Sequence, residues 1–226
     1  MRLDVTKSVK FPLNDPSWPV KLGIGLLMQL LGFLIVPMLA FSGYMLQVVR
    51  DAANGNDENM PEWGDWGRLI MQGLMVSLAW LIYMLIPLGM IFFGMGSFIA
   101  SIIFGASRDS AVTGLAGGAM SLGIGGVGLI LLLIVCCLLP ALMIRYATSG
   151  DFGSFFQVGQ AVSDIMTSPI DYLMVVIVPI GLSGAFSFVV GLTGGLLAIL
   201  SPVFVVITSL VGAHLAGDYY RNCLQS

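Results

Sequence analysis

Charge is what this sequence lacks most. Its 226 residues include 9 lysines and arginines and 12 aspartates and glutamates, so that 9% of the chain is charged. An ordinary soluble domain carries about 25% charged residues. This is too little charge to cover the surface of a protein in water. The composition therefore excludes a water-soluble enzyme, a nucleic-acid-binding domain and a disordered segment. The net charge of −3 also leaves no basic patch for a nucleic acid.

Residues that carry chemistry are scarce as well. The three cysteines and the single histidine, His214, show no metal-ligand spacing and no disulfide framework. Residues 123–128 fit the dinucleotide fingerprint G-x-G-x-x-G, but they lie in an apolar run without the strand and the acid that the fingerprint needs. Small residues spaced in this way favour close helix packing instead. The sequence predicts no catalytic residue, no cofactor and no metal, and we expect that the protein is not an enzyme.

Apolar sequence, by contrast, is abundant. Hydrophobic residues make up 58% of the chain, and several uncharged runs exceed the roughly 20 residues that a membrane-spanning helix needs. A barrel is disfavoured because it needs alternating segments of about ten residues. The sequence predicts an all-α polytopic transmembrane helical bundle, as a single domain over residues 1–226. The predicted full spans are 69–107, 110–144, 172–190 and 196–217.

The first apolar segment, residues 20–49, has two interpretations. It is either one tilted helix, which gives a five-span protein, or a re-entrant pair of half-helices that bends near Pro37. Cytoplasmic loops carry an excess of lysine and arginine. A re-entrant segment places eight of the nine basic residues on one side and leaves Arg108 on the other. The charges therefore favour four full spans, a re-entrant or tilted first segment, and cytoplasmic tails at 1–19 and 218–226.

The first cytoplasmic connector, residues 50–68, is acidic and contains two tryptophans. Asn59, followed by proline and glutamate, predicts a short capped helix. Tryptophans at a span boundary usually lie at headgroup level with the indole N–H in water. We interpret the connector as an anchor or partner-contact surface; the alternatives are a solvated acidic loop and a divalent-cation site. The candidate contact residues are Arg50, Glu62, Trp63, Asp65 and Trp66.

The second connector, residues 145–171, shows helical periodicity. Apolar residues recur at every third or fourth position, which predicts an in-plane amphipathic helix near 152–167. Pro169 then predicts the first turn of the next span. The candidate contact residues in this connector are Arg145, Phe152, Phe155 and Phe156.

Part of the first connector resembles a known family. The stretch Met60–Trp66 reads M-P-E-W-G-D-W, and it follows Gly43, Tyr44 and Arg50. This pattern resembles the prokaryotic integral membrane family catalogued as domain of unknown function 4013, whose typical stretch reads L-P-E-W-x-D-W. The resemblance covers most of the chain. It implies an integral membrane protein, and it brings no established activity or site residue with it.

The predicted spans contain no aspartate, glutamate, lysine or arginine, whereas ion-coupled carriers generally keep such residues at membrane depth. We therefore expect a non-enzymatic accessory or scaffold component of a prokaryotic cytoplasmic membrane. Its expected partners are the lipid bilayer and a membrane protein or a second copy of the chain, with no nucleic acid. The alternative is a transporter or channel-like protein for a small neutral or amphipathic molecule.

Overall fold

The computed structural model describes residues 3–56, 58–105 and 111–225, and all regular structure within them is helical. The all-α class is therefore confirmed. Asp57 of the acidic connector and Arg108 lie outside the described residues. The α-helices are α1 (Val5–Asn14), α2 (Trp18–Leu30), α3 (Ile35–Ala53), α4 (Trp66–Gly105), α5 (Ala111–Ser149), α6 (Val158–Thr167), α7 (Pro169–Leu192) and α8 (Ser201–Tyr219). Two 3-10 turns, Phe152–Phe156 and Leu196–Leu200, and a π-helical turn, Tyr220–Leu224, accompany them.

Four stretches among the described residues are long and apolar enough to cross a membrane, which agrees with the predicted polytopic bundle. Between the last two, Gly194 and Gly195 adopt positive φ angles of 61° and 89°. Glycine alone adopts this region at little steric cost, so the chain turns here and α7 ends. The four stretches are Trp66–Ile103, Gly117–Ser149, Pro169–Leu192 and Leu196–Leu224.

The first apolar segment forms two half-helices, α2 and α3, separated by a turn at residues 31–34. Pro37 lies in the first turn of α3, where its missing N–H costs no helical hydrogen bond. Both outer ends of the pair reach the first connector: α3 ends within it at Ala53, and Lys21 of α2 donates to the Met60 carbonyl at 2.6 Å. The segment is thus a pair of half-helices, as the re-entrant interpretation predicts, and not one continuous helix, although its turn lies at residues 31–34 instead of at Pro37.

The chain divides into two compact units, residues 1–77 with 140–226, and residues 78–139. In the smaller unit, a methyl group on Gly94 would lie 2.7 Å from the backbone nitrogen of Gly125, closer than atoms can approach. Of the four glycines that resemble a nucleotide fingerprint, Gly125 and Gly128 therefore serve close helix packing, whereas Gly123 and Gly126 face open space.

The core of the larger unit lies where α3 packs against α8 and the beginning of α4. A methyl group on Gly217 of α8 would lie 2.5 Å from the Ala52 side chain, and one on Gly43 would collide with the Leu69 carbonyl. Small residues allow this approach, which gives van der Waals contact where lipid supplies no hydrophobic driving force.

The short helix predicted at Asn59 is not formed. Residues 58–65 are irregular, because their backbone groups bond to side chains elsewhere in the larger unit. The N–H of Met60 donates to Asp15, and the Pro61 carbonyl accepts from Tyr44. These bonds satisfy buried backbone groups that a helix would otherwise have to pair internally.

The helix predicted over 152–167 is interrupted. The 3-10 turn Phe152–Phe156 comes first, and α6 starts only after Gln157. Asp151 accepts a hydrogen bond from the Gly153 N–H at 3.1 Å and starts the tight turn. Phe155 is buried with its ring 4.6 Å from that of Tyr146. Because the Phe155 ring is buried, the 3-10 turn does not continue into α6. The apolar periodicity of the sequence does not predict this interruption.

Candidate functional site at the connector face

The two connectors lie at one end of the larger unit, which we call the connector face. At the end of α3, Arg50 Nε donates to the Ala147 carbonyl of α5 at 2.7 Å. At the end of α8, the Tyr219 hydroxyl donates to the Asp164 carbonyl of α6 at 2.6 Å. These two bonds join four helix ends, so the candidate residues of both connectors come together there.

A buried ion pair lies at the base of the α2–α3 hairpin. Asp15 Oδ2 accepts from Lys21 Nζ at 2.7 Å and from the Met60 N–H at 2.9 Å, while its Oδ1 accepts from the Ser17 hydroxyl at 2.6 Å. Burial by itself raises the pKa of Asp15, but the bonds from Lys21 and Ser17 outweigh it and lower this pKa to about 2. The carboxylate therefore stays ionised and serves as a fixed acceptor.

Lys21 completes the attachment of the first connector to the hairpin. Its Nζ donates to the Met60 carbonyl at 2.6 Å and lies 2.8 Å from Glu62 Oε1. Burial works to lower the pKa of Lys21, yet Asp15 and Glu62 together raise it above its usual value. Sequence reasoning missed both Asp15 and Lys21 as site residues. The available signal was a lone lysine at the start of an apolar run, six residues after an aspartate.

Trp63 is an internal residue of this attachment. Its ring stacks on Tyr44 at 3.8 Å between centroids, and its Nε1 donates to the Lys21 carbonyl at 3.2 Å. The Tyr44 hydroxyl in turn donates to the Pro61 carbonyl at 2.9 Å. With 9% of its surface exposed, Trp63 contradicts the prediction of an indole N–H in water. We call Asp15, Lys21, Tyr44, Met60 and Trp63 the hairpin clamp.

The rest of the tryptophan motif leads into α4. Asp65 Oδ1 accepts from the Arg68 N–H at 3.2 Å, which is the side-chain capping expected at a helix start. Trp66 begins α4, with its ring 5.8 Å from that of Trp63, and it remains exposed, as do Asp65 and Glu62. Of the first connector's candidates, these three stay accessible for a partner.

An acidic cleft of about 660 Å³ opens beside the clamp. Asp51 lies at its α3 edge, where burial raises the pKa of its carboxyl against the opposing charges of Arg50 and Arg68. Among the residues that the structure describes, no three histidine, cysteine or acidic side chains are arranged to hold a metal ion. The cleft is lined by Gln47, Asp51, Gly55, Asn56, Glu58, Asn59, Met60, Pro61 and Glu62.

Arg145 organises the second connector. Its guanidinium pairs with Asp164 at 2.5 Å and donates to Gln157 at 2.8 Å and to Gln160. The arginine at the end of α5 thus holds the polar face of α6. Of the phenylalanines predicted as contacts, Phe155 is buried, Phe152 is half-buried, and Phe156 is exposed.

The structure also brings together a serine, a histidine and an aspartate that are far apart in the sequence. Ser8 of α1 lies 2.8 Å from His214 Nδ1, and Asp218 Oδ2 lies 3.9 Å from the same nitrogen. A catalytic triad places serine and aspartate on opposite imidazole nitrogens. Here both approach Nδ1, and Ser8 and His214 are fully buried. The arrangement therefore holds α1 against α8, with the Phe11 ring 4.4 Å from the imidazole.

The family comparison agrees with this architecture. The model of the family described as "Protein of unknown function (DUF4013)" matches residues 27–199, which is more than half of the chain. The matched range includes the end of α2, the whole of α3 and both connectors, and it confirms the resemblance seen in the tryptophan motif. No curated protein and no solved structure matches the chain.

Proposed function

We propose that this protein, which belongs to the DUF4013 family, is a non-enzymatic accessory or scaffold component of a prokaryotic cytoplasmic membrane. The observation that supports this role best is the tip of the α2–α3 hairpin, residues 31–35. Its geometry calls for a protein neighbour inside the bilayer. The inward-facing Ser8 and His214 support the non-enzymatic part of the proposal, because no substrate reaches them.

The tip lies at membrane depth. The 13 residues of α2 correspond to about 20 Å at 1.5 Å per residue, and the hydrocarbon core is about 30 Å thick. The base of α2 is bonded to the connector face through Lys21. A helix that enters at this face therefore ends inside the hydrocarbon.

The tip presents both apolar side chains and irregular backbone. Phe33 and Ile35 are 80% and 75% exposed. The turn is closed by short-range bonds such as Leu34 N–H to the Leu31 carbonyl at 2.8 Å, and the first N–H groups of α3 have no helical acceptor. Irregular backbone at this depth is tolerated only against protein or water. Apolar side chains favour protein, so a transmembrane segment of a partner or of a second copy fits the tip.

The hairpin clamp supports the same interpretation. It ties the base of the hairpin to the first connector through buried bonds, with Asp15 and Lys21 both nearly inaccessible. A rigid base fixes the position of the tip, as a docking element requires.

Site-specific photocrosslinking in intact membranes tests the proposal. A benzoylphenylalanine at Phe33 should give a discrete crosslinked protein, and mass spectrometry will identify it as a second copy or as another membrane protein. The same probe at Leu133, an exposed apolar position within α5, is the matched control and should label lipid. Lipid adducts alone at Phe33 would contradict the proposal.

A second candidate is the transporter or channel-like protein. It is favoured by a groove of about 230 Å³ between α7 and α8, where Ser183, Ser187 and Ser201 accompany the stacked rings of Phe186 and Phe204. The hydroxyls and rings suit a small amphipathic molecule. Under this candidate, a cysteine at Ser187 should react with a water-soluble maleimide; an unreactive thiol in folded protein argues for lipid in the groove.

A further inference from the structure

The geometry points to α6 and the turn before it as an interfacial anchor that inserts its apolar face into the bilayer surface without needing anionic lipid. The segment concerned is residues 156–170. The ligand is a neutral lipid surface, at the boundary between headgroups and acyl chains. This inference is independent of the partner proposed for the hairpin tip.

The first line of support is an exposed apolar stripe. It follows the four-residue spacing that places side chains on one face of a helix, and Met166 is 72% exposed. Large apolar side chains on a water-facing helix would forgo the favourable free energy of burial. Val158, Val162 and Met166 follow this spacing on α6, and the exposed Phe156 and Ile170 flank them in the turn before α6 and at the start of α7.

The polar face of α6 is already occupied. Arg145 holds Asp164 and two glutamines of the segment, and the Tyr219 hydroxyl donates to the Asp164 carbonyl. Ala161 is buried on the protein side. The orientation of α6 is thereby fixed from two neighbouring helices, and its apolar stripe is directed away from the larger unit.

The position of the stripe identifies lipid as its neighbour. Ser168 alone separates α6 from α7, which is apolar enough to cross the membrane and begins at Pro169. The α5 stretch that ends at Ser149 is also a candidate span. A segment between two spans lies within a few residues of the bilayer surface, and an amphipathic helix there buries its apolar face about 5–10 Å into the headgroup boundary.

The charge of the region selects neutral rather than anionic lipid. No lysine or arginine occurs in the sequence between Arg145 and Arg221, and Arg145 is paired with Asp164. Electrostatic attraction to anionic lipid depends on exposed basic residues near the surface. The anchor therefore rests on apolar burial alone, which salt and headgroup charge do not alter.

Nitroxide accessibility tests the inference in the full chain reconstituted into phosphatidylcholine vesicles. Two pairs of adjacent positions provide matched controls, V162C against S163C and M166C against T167C, in a background without the native cysteines. Adjacent residues differ by about 100° around a helix. We expect the ratio of oxygen to nickel-chelate collisions to be several-fold higher at 162 and 166 than at 163 and 167. Circular dichroism verifies that each variant is folded.

Three results would overturn the inference. A high nickel collision rate at position 166 would place the stripe in water, and low rates for both reagents would place it against protein. A contrast that appears only when phosphatidylglycerol is included would assign the contact to anionic headgroups. An unchanged contrast in both kinds of vesicle supports the neutral interface.

Discussion

The two connectors of this protein have the same place in the sequence and opposite structures. Each follows a long apolar helix, each is rich in aromatic residues, and both meet at the connector face. The first, residues 50–68, turns Trp63 inward onto Tyr44. The second, residues 145–171, directs Phe156 and Met166 outward. Aromatic content therefore does not distinguish a connector that builds the fold from one that faces the surroundings.

Backbone hydrogen bonding explains the difference. The first connector is irregular, so its buried N–H and carbonyl groups need side-chain partners, and Asp15, Lys21 and Tyr44 provide them. The second connector is mostly helical and satisfies its own backbone. Two residues from neighbouring helices hold it in place: Arg145 pairs with the Asp164 side chain, and the Tyr219 hydroxyl donates to the Asp164 carbonyl.

Truncation of the inward-facing ring should have the largest effect. Trp63→Ala removes a buried indole, its stacking on Tyr44 and a hydrogen bond, and we expect it to lower the free energy of unfolding by about 3–5 kcal/mol. Phe156→Ala, in the second connector, should cost less than about 1 kcal/mol. Unfolding in mixed SDS micelles, followed by circular dichroism, measures both. Equal losses would remove the distinction between the connectors.

The ion pair of the clamp should have the next largest effect. Asp15→Asn leaves Lys21 buried with one carboxylate fewer, and we expect a loss of about 3 kcal/mol. In the native chain the lowered pKa of Asp15 stabilises the fold above pH 3.8, its unperturbed value, and this contribution disappears as the pH falls to about 2. Thermal unfolding measured from about pH 5 down to about pH 2 follows this contribution. The Asn variant should lack this component of the acid sensitivity.

Release of the second connector should be milder. Arg145→Gln removes charge-assisted bonds to α6, and we expect a loss of about 2 kcal/mol with faster amide hydrogen exchange over 158–167. Arg68→Gln breaks the exposed pair with Asp65 and should cost less than about 1 kcal/mol. If the exchange of α6 is as slow in Arg145→Gln as in the native chain, Arg145 is not its tether.

Several features of the fold were predictable because they depend on local rules. Uncharged runs indicated the helices, glycines indicated the turn after α7, and the distribution of basic residues favoured the half-helix pair over a single helix. The hairpin clamp was not predictable in this way. Its members range from Asp15 to Trp63, and no local pattern relates a lysine in one helix to the backbone of a connector 39 residues away.

The sequence by itself determined that this protein lies in a lipid bilayer, that it is helical and roughly where its spans are. The reason is that bilayer hydrocarbon excludes charge and requires a spanning helix to pair its own backbone hydrogen-bonding groups. Only the tertiary structure decided which aromatic residues build the fold and which remain at the surface. It turned Trp63 inward, docked α1 against His214, and left the stripe of α6 exposed. Those outcomes depend on buried polar groups finding partners across the chain, and such pairing is set in three dimensions rather than by neighbours in the sequence.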